Sequence, residues 1–261
     1  MAGRIAAPCL VFIGALTGPV LGGDSGASIA ELTQERLNPL AEAYNLQGSM
    51  SFGFARHQDV QPTFTFQPLI PLPLTADWRL VTRSFLSIVD LPGPHGVTGL
   101  SDLMTSLFLT PTHTGKWVWG AGPIFQFPTA TDEALGTGKW SAGPTGVVVY
   151  VDGPWLNGIL VSHLWSFAGK SDREDVSFTQ IELKFSYQFS NGWYVQTNPT
   201  MTYDWKAAAG EGWTIPVGFD VGKVFEIGSQ GVSVQLGAYY NAKRPPGAAD
   251  WTLNTSVTLT F

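Results

Sequence analysis

The last eleven residues, WTLNTSVTLTF, constrain the fold more than any other stretch, because two kinds of side chain alternate in them. One face carries mainly apolar and aromatic residues, namely Trp251, Leu253, Thr255, Val257, Leu259 and Phe261. The other face carries only Thr, Asn and Ser. A period of two predicts a β-strand, and a strand of about ten residues with aromatic ends has the length needed to cross a bilayer at a tilt. The alternative is an amphipathic strand of a soluble sandwich.

The composition favours a membrane protein. Charged residues make up 13% of the chain and aromatic residues another 13%, whereas a soluble domain averages about 25% charged residues. No segment reaches the roughly 18 consecutive apolar residues that a membrane-spanning helix needs. Because only helices and closed barrels satisfy all their backbone groups in lipid, the predicted fold class is all-β, a transmembrane antiparallel up-and-down β-barrel.

The amino-terminal residues resemble a secretory signal. Arg4 precedes an apolar run from Ile5 to Leu16, and small residues follow. This pattern predicts a cleaved signal peptide at 1–22, with cleavage after Gly22 or, as an open alternative, after Ala27. The single cysteine, Cys9, lies in this segment, so the mature chain is expected to form no disulfide.

The next segment, 23–46, is charged and interrupted by proline, which makes it a poor strand. We predict that it is a periplasmic lead-in and that the barrel occupies 47–261. Twelve runs in that range have the composition of strands, at about 47–55, 61–71, 78–89, 101–110, 117–127, 140–151, 156–167, 176–189, 193–204, 213–223, 231–241 and 251–261.

The connections between these runs alternate between longer polar loops and tighter turns. Bacterial outer-membrane barrels have an even number of strands, long external loops and short periplasmic turns. The predicted location is therefore the outer membrane of a double-membraned bacterium. Strands 140–151 and 156–167 are exceptions to clean alternation, and the inward face of 156–167 stays unassigned.

The predicted partners follow from the surface. Tryptophan residues open many of the strands and suit the membrane interface, so the outer face is expected to contact outer-membrane lipid. Phe261 at the end of the last strand resembles the signal that such barrels present to the barrel-assembly machinery. A complete apolar belt is compatible with a monomer. The net charge of −6 without a basic stripe excludes nucleic acid as a partner.

Charged residues on the polar faces are the candidate functional groups. An Arg or Lys facing lipid at the midplane costs about 2–4 kcal/mol, so these side chains are expected to line the lumen. They are Arg79, Arg83, Asp102, Glu182, Lys184 and Asp220. Two interpretations remain open, namely a salt-bridged plug that fills a narrow barrel, and the lining of a small polar path.

The sequence predicts no enzyme, no catalytic residues, no metal ligands and no cofactor. The one nucleophile and base pair within a strand is Ser162 with His163, and a lipid hydrolase could use such a pair. Adjacent residues of a strand point to opposite faces, however, which argues against a shared site.

Several segments together resemble one family of bacterial outer-membrane proteins. They are GPIFQFPTATDEALGTGKWSAGP (122–144), LWSFAGKSDREDV (164–176), NGWYVQTNPTMTYDW (191–205), WTIPVGFDVGKVF (213–225), QLGAYYNAKRP (235–245), QPLIPLP (67–73) and GLSDL (99–103). The family is the transporter-like one associated with the meta-cleavage pathway of phenol degradation, some of whose members carry the label neuromedin U. The resemblance implies an outer-membrane barrel that moves small, including aromatic, compounds, and it brings no catalytic or binding residues. Ser101 stands where the family motif has glycine.

These observations predict a channel or transporter for the passive passage of small hydrophobic or aromatic solutes. The alternative is a non-conducting structural or surface-binding barrel that acts through its external loops.

Overall fold

The computed structural model describes Thr33 and residues 37–93, 96–228 and 230–261. The predicted signal peptide at 1–22 lies outside the described residues, as does most of the lead-in before residue 37. Within the described residues, no helix is both long and apolar enough to cross a membrane.

Within the described residues, the chain forms fourteen strand segments and a short 3₁₀ helix at Glu133–Leu135. The segments are β1 (Asn45–Phe54), β2 (Gln61–Pro73), β3 (Trp78–Leu91), β4 (Val97–Leu100), β5 (Leu103–Pro111), β6 (Trp117–Phe127), β7 (Lys139–Asp152), β8 (Trp155–Gly169), β9 (Ser177–Gln188), β10 (Trp193–Thr197), β11 (Thr200–Asp204), β12 (Trp213–Ile227), β13 (Gln230–Lys243) and β14 (Trp251–Thr260). Two pairs of segments, β4 with β5 and β10 with β11, each form one interrupted strand of the wall, which gives twelve strands.

Each strand pairs antiparallel with the strands before and after it in sequence, and the sheet closes on itself. The closing pair joins β1 to β14, from Asn45 opposite Thr260 to Phe54 opposite Trp251. The alternating carboxy-terminal segment is therefore the strand that closes the barrel. The predicted antiparallel up-and-down barrel of about twelve strands is confirmed.

Two strands of the wall begin two or more residues earlier than predicted. The fourth strand begins at Val97 rather than at 101, because 97–100 pair with β3 before the backbone is interrupted at Ser101 and Asp102. The first strand begins at Asn45 rather than at 47, because its first residues already pair with both β2 and β14.

The outer face is an apolar belt. Side chains that a soluble protein would bury stand exposed around it, including Val217 at 60%, Phe219 at 61% and Leu236 at 59%. Aromatic pairs lie at both rims, such as Trp117 with Tyr150 at one end of the wall and Tyr240 with Trp251 at the other. A closed barrel with this belt and these aromatic girdles contacts lipid, and its location is the outer membrane.

The two strands without clean alternation are apolar on both faces. In β8, Ile159, Val161 and Trp165 are exposed on the lipid side, while Leu156 and Leu160 are buried on the lumen side. The sequence pattern was ambiguous here because the lumen next to these strands is itself apolar.

Candidate functional site: the barrel lumen

The lumen is apolar at the end where the two termini of the barrel and the short turns lie, which is the periplasmic end. Its wall there is formed by buried side chains that include Val81, Phe108, Val118, Val149, Leu156 and Val224. Leu37, Leu40 and Ala41, which precede the first strand, are 1%, 0% and 0% exposed and belong to the same apolar cluster. Leu37, Leu40 and Ala41 of the predicted lead-in therefore lie inside the barrel. We call residues 37–44 the periplasmic segment.

The wall is shaped to accept the periplasmic segment. A Cβ added at Gly120 would lie 3.2 Å from both terminal methyl carbons of Leu40, so the glycine leaves room for this side chain. Arg79 donates from Nη2 to the backbone oxygen of Leu40 at 3.1 Å and from Nη1 to Glu42 Oε1 at 2.5 Å. Arg79, which was predicted to line the lumen, thus holds the periplasmic segment through the backbone of Leu40 and the carboxylate of Glu42.

A cavity of about 370 Å³ lies in the lumen and borders Leu37 and Pro39 of the periplasmic segment. Three of the predicted lumen residues, Arg83, Glu182 and Lys184, line it together. Arg83 Nη1 donates to both carboxylate oxygens of Glu182, at 3.1 and 3.0 Å. The remaining lining mixes amide side chains with apolar ones, the latter including Leu69, Phe85, Met104, Val147 and Leu160.

Asp220 is separate from this cavity. It is 2% exposed and accepts hydrogen bonds from Tyr239 Oη at 2.6 Å and from Gln196 Nε2 at 3.3 Å. Tyr239 Oη in turn accepts from the backbone N–H of Asn198, at the interruption between β10 and β11. Asp220 therefore ties β10, β12 and β13 together. Tyr239 was not among the predicted residues, although alternation along the strand at 231–241 places it on the face opposite Val234 and Leu236.

At the external end, Asp102 anchors the connection between β6 and β7, residues 128–138, which we call the external loop. Asp102 Oδ1 accepts from the backbone N–H of Ala130 at 3.2 Å. Its Oδ2 accepts from the Thr137 N–H at 2.7 Å, from Thr137 Oγ1 at 2.8 Å and from Gln126 Nε2 at 3.0 Å. Leu135 of this loop is 8% exposed and packs against Gly99. Gly99 pairs with Val89 of β3, and both positions are on the lumen side of the wall. The external loop thus folds over the inner face of the wall.

The next connection, residues 170–176, braces the external loop. Arg173 Nη2 donates to the backbone oxygens of Glu133, at 2.9 Å, and of Gly136, and its Nε donates to the Thr137 oxygen at 3.3 Å. Lys170 pairs with Glu133. Lys139, at the start of β7, pairs with Asp175 at 3.1 Å. The sequence showed only that these connections are polar and charged, and it gave no signal for which charges would meet.

The six predicted lumen residues therefore lie at different levels rather than in one cluster. Arg79 contacts the periplasmic segment, while Arg83, Glu182 and Lys184 border the cavity. Asp102 anchors the external loop, and Asp220 belongs to the wall network around Tyr239.

Ser162 and His163 do not share a site. Ser162 is 2% exposed on the lumen side, whereas His163 lies on the outer face with its ring 4.1 Å from that of Trp165. His163 Nδ1 is 2.7 Å from Thr179 Oγ1 on the neighbouring strand. In the part of the chain that the structure describes, no group of three or more His, Cys, Asp or Glu side chains is placed to hold a metal ion.

Comparisons with known proteins identify the fold. No family model and no curated protein matches the chain. The crystal structure of the COG4313 outer membrane channel from Pseudomonas putida F1 is similar, with a TM-score of 0.61 and 16% identity over 84% of this chain and 95% of that one. The NanC porin is also similar, with a TM-score of 0.56 and 9% identity over 84% of this chain and 99% of that one. At these identities the likeness shows that the chain has the fold of an outer-membrane β-barrel.

Proposed function

We propose that this protein is an outer-membrane channel for the passive passage of small hydrophobic or aromatic solutes. The observation that carries the proposal is the cavity of about 370 Å³ in the lumen, lined by both apolar and polar side chains. A barrel that served only as a scaffold would gain stability by filling this space, because interiors are normally packed with few voids larger than a water molecule.

The size and lining of the cavity favour small solutes. An apolar cavity of about 150 Å³ accepts benzene, so this one has room for a single substituted ring. Leu69, Met104 and Leu160 supply apolar contact, while Arg83 and Lys184 supply polar groups. The sequence resemblance to the phenol-pathway family points to the same class of solute, and the two structural neighbours named above are a channel and a porin.

Passage requires movement at the periplasmic end, because Leu37, Leu40 and Ala41 are buried in the lumen there. Displacing residues 37–44 would remove apolar side chains from the space between Phe108, Val149 and Gly120. We therefore infer that the proposed channel is closed while Leu37, Leu40 and Ala41 are buried in the lumen, and that it opens when the periplasmic segment leaves the lumen.

Single-channel current across a planar bilayer tests the proposal. The refolded mature chain should give discrete conductance steps that small aromatic solutes block. A second recording uses the variant Arg83→Glu, which should change the ion selectivity of the current. A correctly folded wild-type chain that stays silent across the full voltage range and takes up no solute in liposome-swelling assays would refute the channel.

A second candidate is a non-conducting barrel that acts through its external loops. The contacts of Arg173, Lys170 and Asp102 favour it, because they build a defined external surface from two connections. Trimming residues 129–139 and 241–250 separates the candidates. Binding to a partner should disappear on trimming if the loops carry the function, whereas passage through a channel should persist or increase.

A further inference from the structure

The lumen cavity contains an arginine whose hydrogen-bonding capacity is only partly used. Arg83 is 9% exposed, and both of its hydrogen bonds leave from one nitrogen, Nη1, to Glu182. Within the described part of the chain, neither Nη2 nor Nε of Arg83 makes a hydrogen bond. A guanidinium group carries five N–H donors in a planar fork, so the N–H groups on Nη2 and Nε of Arg83 can donate to a ligand in the cavity.

We propose that this cavity is a binding site for a small monocarboxylate with an apolar or aromatic body, an inference that rests on the proposed function and names its substrate class. The carboxylate would accept hydrogen bonds from Nη2 and Nε of Arg83. Arginine suits this role because its planar fork matches a carboxylate and stays charged at every physiological pH.

The charges around the cavity favour an anion. Among the described residues, the charged side chains that line it are Arg83, Lys184 and Glu182. Asp220 lies near Lys184 but is 2% exposed and already accepts hydrogen bonds from Tyr239 and Gln196. A carboxylate could accept hydrogen bonds from the Arg83 guanidinium, whereas an ammonium ligand would meet it with a like charge and with no acceptor.

The apolar side chains that line the cavity can pack against the ring of the ligand. The Arg83 guanidinium carbon lies 4.7 Å from the ring centre of Phe85, which fixes the plane of the cation beside an aromatic surface. Met104 and Leu69 line the same cavity. A ring attached directly to a carboxylate could therefore pack against these side chains while its carboxylate meets Arg83.

Calorimetric binding to the refolded mature chain in detergent tests the site, with benzoate, benzyl alcohol and benzylamine as probes. All three carry one ring and differ mainly in the charge of the substituent. Benzoate should bind about tenfold more tightly than benzyl alcohol, and benzylamine should bind most weakly. Equal affinity for benzoate and benzyl alcohol in the wild-type chain would overturn the proposal without any variant.

Two variants locate the effect. Glu182→Gln removes the competing carboxylate and should strengthen benzoate binding several-fold. The double variant Arg83→Gln with Glu182→Gln keeps two facing amides but removes the cation, and it should abolish the preference for benzoate over benzyl alcohol. The matched control is Lys116→Gln with Asp152→Asn, an exposed ion pair at a periplasmic turn, which should leave all three affinities unchanged.

The binding and current measurements together distinguish failure of the carboxylate site from failure of the proposed channel. Current steps blocked equally by benzoate and benzyl alcohol would uphold the channel and refute the carboxylate site. Selective benzoate binding to a silent barrel would uphold the site and refute passage. Binding of benzoate that survives the double variant would show that the anion is held elsewhere and would also refute the site.

Discussion

The two ends of the lumen are covered by different kinds of interaction. At the periplasmic end, Leu37, Leu40 and Ala41 pack against apolar wall residues, and Arg79 donates hydrogen bonds from its side chain to Leu40 and Glu42. At the external end, the loop at 128–138 is held by the Asp102 carboxylate and by hydrogen bonds from Arg173. One cover is mainly apolar and the other mainly polar.

This difference predicts how each end responds to its surroundings. Apolar contact is non-directional and independent of pH, so the periplasmic segment can shift as a unit without leaving many unsatisfied groups. Charge-assisted hydrogen bonds require defined geometry, and exposed ion pairs are weakened by salt. We therefore expect the periplasmic end to open through changes in packing, and the external end through changes in charge.

The largest expected effect comes from placing a charge in the apolar end. Leu40→Asp would bury a carboxylate in the cluster around Gly120, and an uncompensated buried charge costs several kcal/mol. The periplasmic segment should leave the lumen, and single-channel recordings should show an open fraction raised on the order of tenfold or more.

The matched control for this change is Leu74→Asp, since Leu74 lies in a periplasmic turn and is already 54% exposed. It should leave the open fraction unchanged. An equal response of both variants would show that closure does not depend on the packing of Leu40.

The next effect concerns the polar end. Asp102→Ala removes the acceptor for two backbone N–H groups of the external loop, at Ala130 and Thr137. Losing hydrogen bonds to a charged group costs about 2 kcal/mol, which would favour the detached loop by about 30-fold. Cleavage by a glutamate-specific protease after Glu133 should accelerate accordingly.

For this measurement the control is Asp172→Ala, an exposed carboxylate in the bracing connection. It should change the cleavage rate little. If both variants are cleaved at the wild-type rate, Asp102 does not anchor the external loop.

A disulfide can test whether the loop detaches from the wall or only loosens. A Cβ built at Gly99 lies 3.5 Å from the Cβ of Thr131, within the range of about 3.5–4.5 Å that disulfides show. Gly99→Cys with Thr131→Cys, added to Asp102→Ala, should bring cleavage back towards the wild-type rate when oxidised, and reduction should reverse this. Protection that persists in either single-cysteine variant would show that the cross-link is not its cause.

The smallest effect is the pH dependence of the external end. A hydrogen bond from Lys139 lowers the pKa of Asp175, so this pair stabilises the loops above about pH 3.8 and is lost as the pH falls below it. The hydrogen bond that Lys170 donates to Glu133 raises the pKa of Lys170, so that pair is lost only as the pH rises above about 10.5.

Hydrogen exchange measured by mass spectrometry can compare the two ends directly. Between pH 6 and pH 3, protection of amides 128–138 should decrease after correction for intrinsic rates, and protection of Leu40 and Ala41 should decrease less, because the packing there is mainly apolar. Equal loss at both ends would mean that acid opens the barrel as a whole rather than its polar end.

The sequence predicted the barrel because alternation within each strand shows which side chains face lipid and which face the lumen. The alternation in β14 assigns Leu253 and Val257 to lipid and Ser256 and Thr258 to the lumen, and local geometry alone enforces this. For the same reason the strand positions, the contrast between long loops and short turns, and the inward direction of Arg83 and Glu182 could be read from residues close together in the chain.

Even the exceptions to alternation contained information. Strands β7 and β8 are apolar on both faces, which left the inward face of β8 unassigned. In the structure their lumen side, with Val147, Val149 and Leu160, belongs to the same apolar cluster as Leu37 and Leu40. In this barrel the two doubly apolar strands lie beside a segment inside the lumen, although the sequence does not say which segment that is.

Only the tertiary structure decided which inward side chains meet. Arg83 and Glu182 are 99 residues apart and lie on β3 and β9, which are not neighbouring strands. Alternation fixes the direction of a side chain, but contacts across the lumen depend on the register and closure of the whole sheet. The sequence by itself therefore determined the barrel, its lipid face and its inward charges, whereas closure of the sheet placed Leu40 in the lumen, Arg83 beside Glu182 and Asp102 under the external loop.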